Sequence, residues 1–145
     1  MAINVKSIVL WRSEVENKPG LLAATLEPLA KAGVDLQVVM GYRYPGNESR
    51  AALEIYPVSG KKSLAAAQGT GLSASSIPTL LVEGDNKPGL GQAFAQAMAD
   101  AGINLSFLVA QVIGRRYSAV LAFESEADAR KAASLIKRVA AAKRK

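Results

Sequence analysis

The sequence predicts an α+β fold made of two similar units, each with an antiparallel sheet and helices on one face. Three observations support this prediction. The segment NKPGL at residues 17–21 recurs at residues 86–90, an offset of 69 positions. The segment AGVDL at residues 32–36 becomes AGINL at residues 101–105 at the same offset, without a gap. Strand-like alternation and helix-like apolar stripes surround both segments in the same order. Two copies of one unit therefore fill the chain.

The first copy begins with a predicted strand over residues 3–13, where apolar side chains alternate. Asn17 is a candidate N-cap, and Pro19 suits the first turn of the helix that follows. This helix is expected to end at Gly33, with a kink at Pro28 because proline removes a backbone hydrogen bond. The remaining predicted elements are a strand over 34–44, a hairpin turn over 45–48, a strand over 50–56, a short helix over 61–68, and a linker or short edge strand over 69–76.

The second copy repeats this order. Leu90, Phe94 and Met98 form the apolar stripe of its first helix. The other predicted elements are strands over 79–83, 103–113 and 117–124, a hairpin at residues 114–116, and a helix from a capping box at residues 125–128 to about residue 142. Each copy thus has the order strand–helix–strand–strand–helix, as in a ferredoxin-like split βαβ unit. We predict domains over residues 1–70 and 71–145.

A ferredoxin-like unit also needs a fourth strand, and the second copy ends before one could form. Two explanations are open. The fourth strand is absent, or the long first strand and the linker take its place by pairing between the copies. Sheet edges that remain unpaired attract other strands. We therefore expect the two sheets to join or the chain to form a homodimer.

Composition excludes several kinds of site. The chain has no Cys and no His, which removes disulfides, thiol and histidine catalysis and the usual zinc sites, and we expect no metal and no cofactor. No stretch is long and apolar enough for a membrane helix, and residues 1–6 do not resemble a signal peptide. These features predict a cytoplasmic protein without a membrane partner.

The net charge of +6 comes from the C-terminal end, because seven of the 18 basic residues follow Asp128. Cations there complement the dipole of the last helix, which accounts for the charge without a nucleic-acid partner. RNA binding would require a basic, glycine- and aromatic-rich motif on the third strand. Residues 115–120 (RRYSAV) match that motif only faintly. Nucleic acid is therefore not expected as a partner.

The repeated pattern resembles the ACT domain, here as a tandem pair that covers almost the whole chain. The resemblance lies in a strand, the turn NKPGL, and a helix closed by AG(V/I)(D/N)L. It implies a non-catalytic regulatory module that binds a small molecule, usually an amino acid. Such domains usually work in pairs and are often attached to metabolic enzymes or regulators, so the resemblance also implies a metabolic enzyme as a partner. The chain departs from the family pattern at Pro28, in its short helix over 61–68 and in the missing last strand.

The chemistry of the turn agrees with this implication. Gly20 and Gly89 lie at helix N-termini, where free N–H groups and the helix dipole attract an anion such as a carboxylate. The amides of Asn17 and Asn86 can both donate and accept hydrogen bonds, which suits an amino acid. The opposing interpretation is structural, with asparagines that only cap helices and glycines that only permit tight packing. The predicted ligand-binding residues are Asn17, Lys18, Gly20, Leu21, Asp35, Asn86, Lys87, Gly89, Leu90 and Asn104.

Asp35 and Asn104 enter this set through the resemblance, which implies that the ligand lies where one turn meets the start of the partner's second strand. The two positions differ, and we expect a site that pairs Asn17 with Asn104 to be the competent one, because Asp35 would repel a carboxylate. The alternative function is a ligand-free scaffold that uses the same fold to dimerise or to bind a partner enzyme. An enzyme is not expected, because no nucleophile–base pair occurs at either turn.

Overall fold

A computed structural model describes residues 3–143, which form eight strands and four helices. Their bounds, in chain order, are β1 Ile3–Ile8, β2 Trp11–Glu16, α1 Leu21–Lys31, β3 Val38–Tyr44, β4 Asn47–Tyr56, α2 Lys61–Gly69, β5 Ser73–Ala74, β6 Thr79–Asp85, α3 Leu90–Asp100, β7 Leu105–Ile113, β8 Arg116–Phe123 and α4 Glu126–Lys143. Each of the two four-stranded sheets is antiparallel. The predicted α+β fold class is confirmed.

The first unit consists of residues 9–76. Its strand order is β3-β4-β2-β5, the order of a ferredoxin-like sheet in which the first strand lies between the third and the fourth. The fourth strand is the two-residue β5, which pairs with Trp11 and Arg12 of β2. The segment predicted as a linker or a short edge strand therefore contains that edge strand. The core of this unit is small and centres on Leu29, Ile55 and Leu72.

The second unit consists of β1 and the chain from Ile77 onward. Its strand order is β1-β6-β8-β7, so β1 takes the position of the fourth strand. Ile3 of β1 lies opposite Gly84 of β6, and Ile8 lies opposite Thr79. Of the two explanations offered by the sequence, the first is wrong, because both sheets have a fourth strand. The long first strand supplies it by pairing between the copies, as expected, whereas the linker supplies it within its own copy. The core of this unit is larger and includes Phe94, Phe123 and Ile136.

The predicted single strand over 3–13 is wrong. The chain forms two strands, interrupted at Val9 and Leu10, and each belongs to a different sheet. Alternation of apolar residues runs through the break because it records which face a side chain occupies, and it carries no information on the sheet that the strand joins. As a consequence, the two units differ from the predicted limits of 1–70 and 71–145. Strand β1 belongs to the second unit, and residues 71–76 belong to the first.

Two other strands also begin later than predicted. The strand expected from residue 34 begins at Val38, because Gly33 and Val34 complete the end of α1: the N–H of Val34 donates to the C=O of Leu29 over 3.1 Å. The strand expected from residue 103 begins at Leu105 and has an irregular register between Leu105 and Phe107. That irregularity changes the face on which the following side chains of β7 lie.

Candidate ligand-binding site

The repeated segment KPGL forms the same tight turn in both units. The N–H of Leu21 donates to the C=O of Lys18 over 3.4 Å, and the N–H of Leu90 donates to the C=O of Lys87 over 3.2 Å. Gly20 has φ 88° and ψ −14°, and Gly89 has φ 84° and ψ −1°. Proline in the second position and a positive-φ glycine in the third define a type II turn. An added Cβ would meet no atom within 4 Å at either glycine. The glycines are therefore required by backbone conformation and not by close packing.

Asn17 does not cap α1, contrary to the prediction. The N-cap residue is Gly20, so α1 has no side-chain capping hydrogen bond. The Asn17 amide Nδ2 instead donates to the C=O of Glu48, and its backbone N–H donates to the C=O of Ser49, both over 2.9 Å. Asn86 has the same backbone role, with its N–H donating to the C=O of Arg115 over 2.8 Å. Both asparagines thus attach the turn to the hairpin of their own sheet.

At the start of the helix that follows each turn, N–H groups precede the first i→i−4 hydrogen bond of the helix. In α3 the first i→i−4 bond joins the N–H of Ala93 to the C=O of Gly89 over 3.0 Å, and the N–H groups of Gly91 and Gln92 precede it. In α1 the corresponding bond joins Ala24 to Gly20 over 3.0 Å. N–H groups in this position, together with the helix dipole, can bind an anion.

A cavity lies beside the turn in each unit, between the start of the helix and the two strands of the hairpin, β3 and β4 in the first unit and β7 and β8 in the second. In the first unit its volume is about 280 Å³, and its lining includes Asn17, Leu21, Leu22 and Leu53. Three charged side chains also line it, those of Glu16, Lys18 and Arg43. Lys18 lies 3.5 Å from Glu16, and Arg43 lies 3.8 Å from Glu48, so the cations at this cavity are paired with carboxylates.

The cavity of the second unit is larger, at about 370 Å³, and has a different lining. Apolar side chains come from α3 and from the facing strands, among them Phe94, Met98, Leu108 and Val112. Asn86 and Gln111 are the amide residues of the lining, and none of the lining residues is charged. Leu108 and Val112 remain 53% and 54% exposed, so strand β7 leaves apolar surface uncovered at the cavity.

Tyr117 closes one side of this second cavity. Its ring packs edge-on against Phe94, with centroids 6.0 Å apart, and lies against Gly84 of β6. A Cβ at residue 84 would come within 2.9 Å of the Tyr117 hydroxyl, so glycine provides the space that the ring occupies. Burial raises the pKa of Tyr117 to about 12; Arg116 opposes the rise and Asp85 adds to it. This phenol is neutral at physiological pH.

No protein-family model matches the sequence, and no curated protein matches it. Similar solved structures exist. A protein from Bacteroides thetaiotaomicron superposes with a TM-score of 0.73 at 16% identity, over 92% of this chain and 89% of that one. The regulatory subunit of aspartate kinase from Thermus thermophilus gives 0.62 at 15% identity, over 96% and 97% of the two chains. Its counterpart from Thermus flavus gives 0.63 at 15% identity, over 100% and 98%.

The fold is that of an aspartate kinase regulatory subunit. At these identities the similarity establishes the architecture alone, namely two four-stranded antiparallel sheets with four helices. Among residues 3–143, no helix combines the length and apolarity needed to cross a bilayer. Within the same residues, no group of three acidic side chains is arranged to hold a metal ion.

The structure places the ten predicted ligand-binding residues in three groups. Some line a cavity: Asn17, Lys18 and Leu21 in the first unit, and Asn86 and Leu90 in the second. Gly20, Lys87 and Gly89 belong to the turns without lining these cavities. Asp35 and Asn104 line neither cavity; Asp35 is exposed, and the Asn104 amide donates to Glu124 over 3.2 Å. Their role in ligand binding stays a prediction.

Sequence reasoning did not identify the strand residues that complete the cavities, such as Arg43 in the first unit and Val112 and Tyr117 in the second. One signal was available in the aligned copies. Position 22 is leucine in the first copy, and its counterpart at position 91 is glycine, which removes a side chain from the rim of the second cavity.

Proposed function

We propose that this protein is a non-catalytic regulatory module of the ACT type that binds a small molecule, an amino acid, at its strand–helix turns. The observation that carries the proposal is the repetition of the whole site. In each unit a type II turn, an asparagine attached to the neighbouring hairpin, a helix N-terminus and a cavity occur together. Turn geometry alone accounts for the glycines and the backbone bonds, but it does not account for a cavity beside both turns.

The chemistry of an amino acid matches these parts. Its carboxylate suits the N–H groups at the helix start, and its ammonium group suits an amide oxygen of asparagine. Ligand binding that favours one conformation of the chain gives a partner a difference to recognise. The similar regulatory subunits of aspartate kinase support the proposal that such a partner is a metabolic enzyme. We also propose that the chain works as a homodimer, which the exposed apolar side chains of edge strand β7 support.

The test is a thermal-shift screen of the full chain against the twenty amino acids. A ligand at a hundred times its dissociation constant stabilises the folded state by about 2.7 kcal/mol, which corresponds to a rise in melting temperature of about 5–10 °C for a chain of this size. Asn86→Ala and Asn17→Ala are expected to reduce the shift. Gln96→Ala is the matched control, because it removes an exposed amide of α3 that bonds only to Asp100 among the contacts of residues 3–143. A screen with no selective shift would contradict the proposal.

One observation favours the scaffold function as a second candidate. Strand β7 is an edge strand with four exposed apolar side chains, and Leu108, Val109, Val112 and Ile113 are 49–70% exposed. An exposed apolar edge attracts another strand or protein. A stable dimer in light scattering, with no amino-acid shift, would favour this scaffold function.

A further inference from the structure

We propose that the cavity of the second unit is a pocket for an uncharged apolar group, such as an aromatic ring or a branched aliphatic chain. The cavity of the first unit, which charged side chains line, does not bind such a group. The inference names the ligand class at one of the two turns and in that respect rests on the proposed function. The two units serve as internal controls for each other, because their turns have the same geometry while their cavities do not.

The first step of the argument is the difference in the helices. Gly91 replaces Leu22 at the rim, and Phe94 replaces Thr25 one turn further along, at the offset of the repeat. Thr25 is buried and donates its hydroxyl to the C=O of Leu21 over 2.9 Å. The first helix thus presents leucine and a bonded threonine, whereas α3 presents an open position followed by an aromatic ring. The opening and the apolar surface occur in the same unit.

The second step is the difference in the strands. Val112 stands at the position of Arg43 in the other copy, so an apolar side chain replaces a cation at the cavity. Tyr117 lies opposite Val112, as Ala51 lies opposite Arg43. The second cavity therefore has the Tyr117 ring on one side and no charged lining residue. An ammonium or carboxylate on the body of a ligand would find no ion-pair partner among the lining residues, which excludes acidic and basic side chains.

The third step concerns persistence of the space. Gly84 leaves room for the Tyr117 ring against β6, and the ring also packs edge-on against Phe94. These contacts hold the ring as a wall of the cavity. Apolar cavities are poorly hydrated and bind apolar molecules. The size, about 370 Å³, lies within the range of small-molecule pockets, about 300–1,000 Å³. The flexible thioether of Met98 can adapt the lining to aromatic or branched groups.

The experiment uses the full chain with methionine methyl groups labelled with ¹³C, and indole as a probe that has the apolar body without a carboxylate. L-phenylalanine, L-leucine, L-aspartate and L-lysine are titrated in parallel. Met98 lies in the second cavity and Met40 in strand β3 of the first unit, so their signals report the two units separately. Indole, phenylalanine and leucine are expected to shift the Met98 signal and to leave the Met40 signal unchanged.

Gly91→Leu is the decisive variant, because it gives the second helix the residue of the first. An added Cβ at residue 91 meets no atom within 4 Å, and leucine is a better helix former than glycine, so the variant is expected to fold. It should weaken indole binding by at least about tenfold by filling the space that the ligand needs. Gln92→Leu adds the same side chain one position away, outside the cavity lining, and should leave binding within about twofold.

The outcomes separate the two proposals. Indole binding that is lost in Gly91→Leu supports the pocket even where no amino acid binds, and the amino-acid function then fails alone. Selective binding of aspartate or lysine that shifts the Met98 signal, and that Gly91→Leu does not change, overturns the pocket and leaves the amino-acid function standing. A Met98 signal insensitive to every probe overturns the pocket, and the amino-acid function fails with it only where the thermal-shift screen also finds no ligand. A Met98 signal that depends only on protein concentration also overturns the pocket, because the cavity is then covered by a second copy.

Discussion

Replacing Tyr117 with phenylalanine should stabilise the protein. The Tyr117 side chain is only 9% exposed, and its hydroxyl is buried without a hydrogen-bond partner among residues 3–143. Gly84 provides space for the ring, but its Cα offers the hydroxyl no acceptor. The folded state therefore bears the desolvation cost of this hydroxyl without compensation. Phenylalanine keeps the ring, its contact with Phe94 and the shape of the cavity wall.

The magnitude follows from the cost of a buried unsatisfied polar group, about 1–3 kcal/mol. Because the unfolded chain already solvates the hydroxyl, we expect Tyr117→Phe to raise the free energy of unfolding by about 1–2 kcal/mol, and the melting temperature by about 2–8 °C. The assay is urea denaturation at pH 7. Tyr44→Phe is the control: the Tyr44 hydroxyl accepts a hydrogen bond from Arg12 over 2.7 Å, so its loss should cost about 0.5–1.5 kcal/mol.

The same hydroxyl gives the stability a pH dependence with a defined sign. Burial raises the pKa of Tyr117 to about 12 in the folded protein, against an unfolded value of about 10. The folded state thus favours the neutral phenol more strongly than the unfolded chain does. This preference leaves the free energy of unfolding of the wild type unchanged below pH 10, where the phenol is neutral in both states. It lowers that free energy as the pH rises from 10 to 12, because only the unfolded chain then ionises readily. The gap between wild type and Tyr117→Phe should widen over that interval by about 2–3 kcal/mol. If Tyr117→Phe destabilises the protein at pH 7, the hydroxyl has a partner and the reasoning is refuted.

Two further predictions concern glycines. Gly89→Ala should lower the free energy of unfolding by about 1–2 kcal/mol, because the Gly89 φ of 84° lies in the left-handed region. Gly91→Ala, within α3, should instead raise it by about 0.5–1 kcal/mol. Urea denaturation of both variants tests this, and equal effects would contradict the turn assignment. Gly84→Ala should cost about 1–3 kcal/mol in the same assay, because the new Cβ overlaps the Tyr117 ring. Adding Tyr117→Phe should restore only part of the loss, since two ring carbons remain 3.0 and 3.1 Å from the new Cβ. Full restoration would contradict this overlap.

Local patterns in the sequence were sufficient for most elements. The end of α1 at Gly33 is confirmed, because a positive-φ glycine, here at 76°, ends a helix wherever it lies. The start of α4 is confirmed in the same way, with the hydroxyl of Ser125 accepting a hydrogen bond from the N–H of Asp128 over 3.1 Å. Both signals act within a few residues, so no knowledge of the rest of the chain is needed to interpret them.

Most of the wrong predictions depend on distant parts of the chain. The break at Val9 and Leu10 separates two strands that belong to different sheets, which alternation cannot show. Asn17 looked like a helix cap because its type and spacing fit one, but its amide and N–H are used by the hairpin at residues 48–49. The cavities need strand residues that follow the turn by about 15 or more positions, and in the second unit the register of these residues depends on the irregularity after Leu105. No local pattern fixes that register.

The comparison of the two copies separates what the turn requires from what a ligand would require. Among the identical residues, Pro19 and Gly20 with their counterparts are explained by a type II turn, and Asn17 is explained by the bond of its amide to the hairpin. A motif explained by geometry cannot by itself specify a ligand. The residues that differ, Gly91 in place of Leu22 and Val112 in place of Arg43, leave the backbone of the turn unchanged and alter the cavity. Ligand selectivity in this fold is therefore to be sought where the repeat diverges, and the repeat itself marks only the place.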